Sequence, residues 1–162
     1  MSFDQRPIPA DSDAHRRPCA IGGCPSKCDI VVVDDNLGTR ETLEASFRLA
    51  GFRVHSAANG KEALTLLETV RPAVLFVDLY MPVMDGTIFR RGQLSNANIC
   101  DSPFVLMTAE ADGLRVATEL MADAFVSKPF DAEDLFVVIS QCCRSTAAKN
   151  GHGSPSRVSV PD

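Results

Sequence analysis

The sequence predicts an α/β fold in which a doubly wound, five-stranded parallel sheet carries helices on both faces. Strand-like and helix-like segments alternate between residues 28 and 144. The strand-like segments are mostly continuous apolar runs, which is typical of strands buried on both faces. Because a helix lies between each pair of strands, the strands are expected to run parallel. In such a sheet a site is expected at the carboxyl ends of the strands.

Three strands and two helices are predicted in the first half of this domain. DIVVVDD, FRVHSA and AVLFV have the apolar and β-branched composition of strands. Gly51 ends the first helix, Asn59 is a typical N-cap for the second, and Pro72 ends the second. The predicted ranges are strands 29–35, 52–57 and 73–77 and helices 38–50 and 59–70.

Two strands and three helices are predicted in the second half. PFVLMT and AFV are apolar runs of strand length, and Gly92 weakens the helix between the third and fourth strands. The last helix opens at Asp131 with Asp134 three residues later, a variant of the capping box. Its inward face is predicted to contain Leu135, Val138, Ile139 and Cys142. The other predicted ranges are strands 103–108 and 124–126 and helices 87–96 and 112–121.

The charge and hydropathy of the chain limit its possible functions. The net charge is −5, and the acidic excess lies between residues 29 and 144 without a stripe of Lys and Arg. This pattern argues against direct binding of nucleic acid. No apolar run approaches the roughly 18 residues that span a membrane, and the N-terminus lacks the apolar core of a secretory signal. A cytoplasmic protein is therefore expected.

Both flanks of the domain are predicted to be disordered tails, because residues 1–27 and 145–162 lack apolar periodicity. Cysteines cluster at the end of the first tail, and these thiols could bind zinc or an iron–sulfur cluster. Their spacing matches no established metal motif, so free thiols in a flexible arm are the favoured interpretation. The residues in question are His15, Cys19, Cys24 and Cys28.

Polar side chains follow four of the five predicted strands. Asp34 and Asp35 end the first predicted strand, and Asp78 directly follows the third. Thr108 ends the fourth, and Lys128 lies just beyond the fifth. Three carboxylates in one crevice repel each other unless a cation neutralises them, and oxygen ligands suit Mg²⁺. An aspartate can also attack phosphorus, and an ammonium and a hydroxyl can bind the phosphoryl group gained. The pattern therefore indicates magnesium-assisted phosphoryl chemistry.

These motifs together resemble the receiver domain of bacterial two-component response regulators. The Asp34-Asp35 pair, DLYMPVMDG, Thr108-Ala109 and SKPF occur in the family's order between residues 28 and 144. The resemblance implies a flavodoxin-like, chemotaxis-type fold with strand order 2-1-3-4-5. It implies a signalling phosphoprotein rather than an enzyme, with only self-catalysed phosphotransfer and slow autodephosphorylation.

The resemblance also implies roles for individual residues. Asp78 would be the phosphoacceptor, Thr108 and Lys128 would contact the phosphoryl group, and Thr108 with Phe125 would form the switch. The implied ligands of Mg²⁺, with Mn²⁺ as a substitute, are Asp34, Asp35, Asp78 and the backbone carbonyl of Tyr80. Tyr80 and Glu110 flank the path of water to the acyl phosphate, and the bulky Tyr80 is predicted to slow hydrolysis by crowding that water.

The implied partners are a histidine kinase or a histidine phosphotransfer protein as donor. A downstream protein or a second copy would bind the fourth helix, fifth strand and fifth helix. The residues after 144 are too few for an output domain, so a stand-alone receiver is expected. A receiver detached from a hybrid kinase or longer regulator, and a phosphorylation-independent scaffold, are the alternatives. A haloacid-dehalogenase-like phosphatase is disfavoured because Tyr80 occupies its second acidic position.

Overall fold

Ten regular elements form the part of the chain that the structure describes. The structure is a computed structural model, and it describes residues 28–149, with side chains as far as Cys142. The expectations for His15, Cys19, Cys24 and the segments 1–27 and 150–162 lie outside the described residues. The strands are β1 Asp29–Val33, β2 Arg53–Ala57, β3 Val74–Asp78, β4 Phe104–Thr108 and β5 Ala124–Ser127, and the helices are α1 Leu37–Leu49, α2 Gly60–Leu66, α3 Gly86–Leu94, α4 Gly113–Glu119 and α5 Ala132–Lys149.

The five strands form one parallel sheet in the order β2-β1-β3-β4-β5, which confirms the predicted fold class and strand order. Val33 of β1 lies beside Val77 of β3, so Asp34, just beyond β1, and Asp78, the last residue of β3, lie next to each other at the edge of the sheet. Thr108 of β4 pairs with the last residue of β5 in the same way. The register therefore brings the carboxyl ends of four strands to one edge.

The core lies on both faces of the sheet, as the continuous apolar strands predict. On one face, Ile30 and Val32 of β1 pack with α1 and α5, where the rings of Phe47 and Phe76 stack with centroids 5.5 Å apart. On the other face, Val31 and Val33 pack with α2, α3 and α4. Because both faces are covered, the sheet is doubly wound. Between residues 28 and 149 no helix is long and apolar enough to cross a membrane.

Capping residues explain where the second helix begins and ends. The Asn59 side chain accepts a hydrogen bond from the Glu62 amide at 3.0 Å, and the Glu62 carboxylate accepts one from the Ala58 amide, which confirms the predicted N-cap. The helix ends at Leu66, earlier than predicted. The Arg71 guanidinium donates to the Leu67 carbonyl just beyond it. This hydrogen bond caps the C-terminus of α2 and stabilises its end at Leu66.

The last helix is longer than the sequence pattern suggests. Asp134 accepts a hydrogen bond from the Asp131 amide at 3.1 Å, as the variant capping box predicts. Helix α5 then continues to Lys149, whereas residues from 145 onward were expected to be disordered. Alanine and lysine at its end are strong helix formers, which accounts for the extra turn.

Within residues 28–149, three residues adopt a left-handed backbone conformation. Gly51 has a φ of 93° where it ends α1, as its predicted role requires. Val83 has a φ of 70° in the loop between β3 and α3, and Met121 has a φ of 51° after α4. Side chains with a Cβ atom strain the backbone there by roughly 1–2 kcal/mol. The fold therefore holds a strained valine in the loop that follows Asp78.

Candidate functional site

Asp78 is a carboxylate at the end of a fully buried strand. All five residues of β3 are buried, and Asp78 itself is only 7% exposed. Burial raises the pKa of Asp78 above its ordinary value, and a hydrogen bond from Lys128 partly offsets this effect. The strand thus presents a desolvated carboxylate with one cationic partner.

Lys128 joins two of the three carboxylates. Its ammonium donates to Asp34 Oδ2 at 2.9 Å and to Asp78 Oδ1 at 3.0 Å. Burial lowers the pKa of Lys128, but the hydrogen bonds with both carboxylates more than offset this, so that its pKa is raised. The Lys128 amide also donates to the Thr108 carbonyl at 2.8 Å, and the bond from Lys128 to Pro129 is cis. The lysine therefore stays charged and bridges the ends of β1 and β3.

The three aspartates form one cluster. One carboxylate oxygen from each of Asp34, Asp35 and Asp78 lies within 4.8 Å of the others. Asp34 is fully buried, whereas Asp35 is exposed. Hard oxygen donors that converge in this way, with one open side, fit a hydrated Mg²⁺ ion. The donor set is therefore suitable for the cation that the sequence predicts.

Thr108 and Phe125 lie where the sheet meets α4. Thr108 is buried, and its hydroxyl accepts a hydrogen bond from the Glu110 amide at 3.1 Å. Phe125 is half-buried on β5. A Cβ atom on Gly113, the first residue of α4, would lie 3.2 Å from Thr108 Cγ2 and 3.3 Å from the Phe125 ring. The start of α4 therefore packs directly on both predicted switch residues.

Tyr80 lies at the rim of the cluster. It is 64% exposed, and its side-chain hydrogen bond with Glu110 raises the pKa of its hydroxyl. The pair connects the β3–α3 loop to the β4–α4 loop. Tyr80 and Glu110, which the sequence associated separately with the path of water, therefore lie close enough for the Glu110 carboxylate to raise the pKa of the Tyr80 hydroxyl.

A cavity of about 750 Å³ opens beside Lys128, between α1 and the loop before α5. Lys128 and Asp131 are among the residues that line it. Sequence reasoning did not single out two residues that contact the site. The Asn36 amide donates to Asp34 Oδ1 at 2.8 Å, and Arg40 donates to the Asp34 carbonyl at 2.7 Å. Asn36 carries an N-cap signal for α1, whereas Arg40 carries no local signal.

Known proteins share this sequence pattern. The model of the response regulator receiver domain family matches residues 30–140. The chain is 34% identical over 122 residues to regulatory protein AtoC of Escherichia coli, which covers 74% of this chain and 26% of AtoC. It is 33% identical over 135 residues to response regulator MprA of Mycolicibacterium vanbaalenii, covering 82% of this chain and 58% of MprA. The chain thus spans less than two thirds of these relatives.

A shorter relative is matched over most of its length. Sporulation initiation phosphotransferase F of Bacillus subtilis is 35% identical over 109 residues, covering 65% of this chain and 86% of that protein. Among solved structures, the fold is similar to chemotaxis response regulator CheY4 of Vibrio cholerae, with a TM-score of 0.67, 26% identity and coverage of 72% of this chain and 98% of that one. It is also similar to the receiver domain of sensor histidine kinase PA1611 from Pseudomonas aeruginosa PAO1, described with a magnesium ion coordinated in its active site cleft (TM-score 0.68, 26% identity, 73% and 98% covered).

Proposed function

The chain belongs to the response regulator receiver domain family of two-component signalling, and from that premise we propose that Asp78 accepts a phosphoryl group from a histidine kinase or a histidine phosphotransfer protein. Phosphorylation would then switch the binding of a partner. This function makes the protein a signalling phosphoacceptor rather than an enzyme with an external substrate to turn over.

The observation that carries the proposal is the surroundings of the Asp78 carboxylate. It is buried at the end of β3, Lys128 donates to it at 3.0 Å, and the carboxylates of Asp34 and Asp35 lie beside it. Burial removes water from the nucleophile, while the lysine supplies positive charge for the incoming phosphoryl oxygens. A structural ion pair would need only one carboxylate, so the additional acidic groups support a cation-binding function.

The proposed transfer moves the phosphoryl group from the imidazole of the donor to Asp78. An oxygen of Asp78 attacks phosphorus and forms an O–P bond while the P–N bond to the donor imidazole breaks. The electron pair of that bond stays on the departing nitrogen, which takes up a proton. Lys128 is placed to exchange one carboxylate contact for a phosphoryl oxygen. The result is an acyl phosphate on Asp78.

The cation would be held by the three carboxylates and by the backbone carbonyl of Tyr80. When bound, Mg²⁺ neutralises the carboxylates and the phosphoryl oxygens, and Mn²⁺ could substitute because it accepts the same ligands. Without a cation, the positive charge that contacts Asp34 and Asp78 is that of Lys128. We therefore expect phosphorylation to depend on a divalent cation.

The switch would involve Thr108 and Phe125. Phosphorylation adds about −1.5 to −2 charges and three acceptor oxygens, enough to attract the Thr108 hydroxyl from the Glu110 amide. Because the start of α4 packs against Thr108 and Phe125, movement of either side chain would alter that helix. The surface of α4, β5 and α5 carries exposed apolar side chains, including Leu114 and Val137. This surface is the proposed site for a downstream protein or a second copy.

Tyr80 would slow the loss of the phosphoryl group by crowding the attacking water. Tyr80→Ala should shorten the phosphoryl half-life, because it removes the ring and its hydrogen bond with Glu110. Tyr80→Phe is the matched control, since it keeps the ring and loses only the hydrogen bond. Half-lives are measured by intact mass after the phosphodonor is removed. An unchanged half-life in Tyr80→Ala would contradict the crowding role.

The proposed function is tested by incubation with acetyl phosphate and Mg²⁺, followed by intact mass measurement. Wild type should gain one phosphoryl group only when Mg²⁺ is present, and Asp78→Asn should gain none. Asp101→Asn, an exposed aspartate after α3, serves as the matched control and should be phosphorylated like wild type. Phosphorylation of Asp78→Asn would show that the acceptor is another residue.

We further propose that the receiver occupies residues 28–144 and acts as a stand-alone, cytoplasmic module without direct contact to nucleic acid. The match over 86% of sporulation initiation phosphotransferase F supports this arrangement. AtoC and MprA, of which larger parts lie outside the match, represent the longer-regulator alternative. Sequencing the gene beyond the codon for Asp162 separates the two arrangements, because a longer reading frame would exclude the stand-alone form.

A further inference from the structure

Asp34 is held at each of its four polar groups. Its backbone amide donates to the Ala57 carbonyl at 3.2 Å, and its two carboxylate oxygens accept from the Asn36 amide and from Lys128. Its backbone carbonyl accepts from Arg40 Nη1 at 2.7 Å. Three of these contacts come from backbone or from a residue already placed in the site. Arg40 is the additional side chain.

The Arg40 hydrogen bond acts on the peptide between the two acidic residues. The Asp34 carbonyl and the Asp35 amide belong to one rigid plane, so a donor on this carbonyl sets the orientation of the plane. Asp35 projects from that plane, and its carboxylate is exposed. The direction of the Asp35 carboxylate toward Asp78 therefore depends on how the Asp34 carbonyl is held.

We propose that Arg40 is a positioning residue for the metal-binding carboxylates. From the first turns of α1 it fixes the Asp34–Asp35 peptide, so that both carboxylates face Asp78 before a cation arrives. Groups that orient metal ligands commonly contribute about 10- to 100-fold to metal affinity. This inference rests on the proposed function, because it assigns Arg40 to the same cation site.

A purely electrostatic role of Arg40 would have the opposite sign. A guanidinium near a cation site repels the incoming cation, so its removal would tighten the binding of Mg²⁺ if charge alone mattered. If Arg40 positions the carboxylates, its removal weakens binding despite the loss of repulsion. The direction of the change in affinity therefore separates the two roles.

The test compares Arg40→Met with Arg48→Met. Arg48 lies on the same helix and donates to a backbone carbonyl, that of Val54, at 3.2 Å, but its contact is remote from the cluster. Methionine keeps an unbranched stem and a high helix propensity in both variants. Mg²⁺ is titrated into each protein, and binding is followed by the NMR shifts of the backbone amides.

We expect Arg40→Met to bind Mg²⁺ about tenfold more weakly than wild type, and Arg48→Met to bind like wild type. Arg40→Lys keeps the charge on a shorter stem and should recover only part of the affinity. In the metal-free spectra, the changes in Arg40→Met should be confined to the turn between β1 and α1. This pattern would support positioning.

Other outcomes overturn the inference. Equal or tighter binding of Mg²⁺ by Arg40→Met, or spectral changes throughout the domain, would each exclude a local positioning role. If wild type itself failed to bind Mg²⁺, the proposed function and the role of Arg40 would both fail. That case is recognised by the behaviour of wild type alone, whereas failure of the Arg40 inference appears only in the comparison of variants.

Discussion

Lys128→Met removes the cation that joins two buried carboxylates. The lysine donates to Asp34 at 2.9 Å and to Asp78 at 3.0 Å, and the side chain of Asp34 is completely buried. After the substitution, Asp34 and Asp78 would face each other without a neutralising group. We therefore expect a large loss of stability in the absence of divalent cations.

The size of this loss follows from the two contacts. A hydrogen bond to a charged group contributes about 1.5–3 kcal/mol. Because the Lys128 side chain is 27% exposed, the lower value applies to each bond, which gives a loss of about 3 kcal/mol. Removal of one partner from a buried ion pair costs about 3–5 kcal/mol, which agrees with this value. Protonation of Asp78, whose pKa is already raised by burial, limits the loss.

The free energy of unfolding is measured by urea denaturation at pH 7 with a chelator present. Lys61→Met, an exposed lysine on α2, is the matched control and should change stability by less than about 0.5 kcal/mol. Adding Mg²⁺ should narrow the gap between wild type and Lys128→Met, because a cation that binds the native carboxylates stabilises the folded state.

The double variant Lys128→Met with Asp78→Asn isolates the contact between these two residues. We expect the combined loss to be smaller than that of Lys128→Met alone, because one of the two stranded charges is gone. A loss below about 1 kcal/mol for Lys128→Met, or one equal to that of Lys61→Met, would refute the view that the ion pairs stabilise the metal-free fold.

Three further predictions concern stability. Arg90→Met should lower the free energy of unfolding by about 3 kcal/mol, because three hydrogen bonds of the buried guanidinium are lost. Arg91→Met, at the exposed neighbouring position, is the control and should leave the free energy of unfolding nearly unchanged. Equal urea midpoints of the two variants would contradict this prediction. Val83→Asn should raise it by about 1 kcal/mol, because asparagine tolerates a φ of 70° better than valine. Val137→Asn, at a position with exposed helical backbone, is the control and should not raise the free energy of unfolding. If Val83→Asn and Val137→Asn change the free energy of unfolding equally, the strain argument fails. Asp78→Asn should be more stable than wild type at neutral pH without cations, since burial raises the pKa of Asp78 and so disfavours its ionised form in the fold. Wild type gains stability as pH falls through the pKa of Asp78 in the folded state, so the difference in free energy of unfolding between wild type and Asp78→Asn should disappear there. A difference that does not depend on pH would show that the charge of Asp78 is not its cause.

Several features of the fold are local and could be predicted from the sequence. Strands β1, β3 and β4 are apolar runs, and burial on both faces requires that composition. The N-cap of α2 depends on Asn59 and Glu62, which are three residues apart and interact within one turn. Gly51 ends α1 because its left-handed backbone is accessible to glycine.

The convergence of the polar residues could also be predicted, because it needs only the topology. Parallel strands joined by helices place their carboxyl ends at one edge, and Asp34, Asp78, Thr108 and Lys128 each lie at or just beyond such an end. The placement of these residue types at one edge therefore follows from the sequence and the strand connectivity. The length of α5 could not be predicted in this way, because the composition beyond residue 144 is compatible with both a helix and a tail.

The pairing of groups within the site depends on how distant segments of the chain pack together. Lys128 and Asp34 are 94 residues apart, and no local pattern specifies that this lysine bridges two carboxylates. The hydrogen bond from Arg40 to the Asp34 carbonyl depends on a side-chain conformation that helix propensity does not select. The sheet, its edge and the chemical groups at that edge could be predicted from the amino-acid sequence, because they follow from composition and connectivity. The partners of each group depend on packing between distant segments, and only the folded chain specifies that packing.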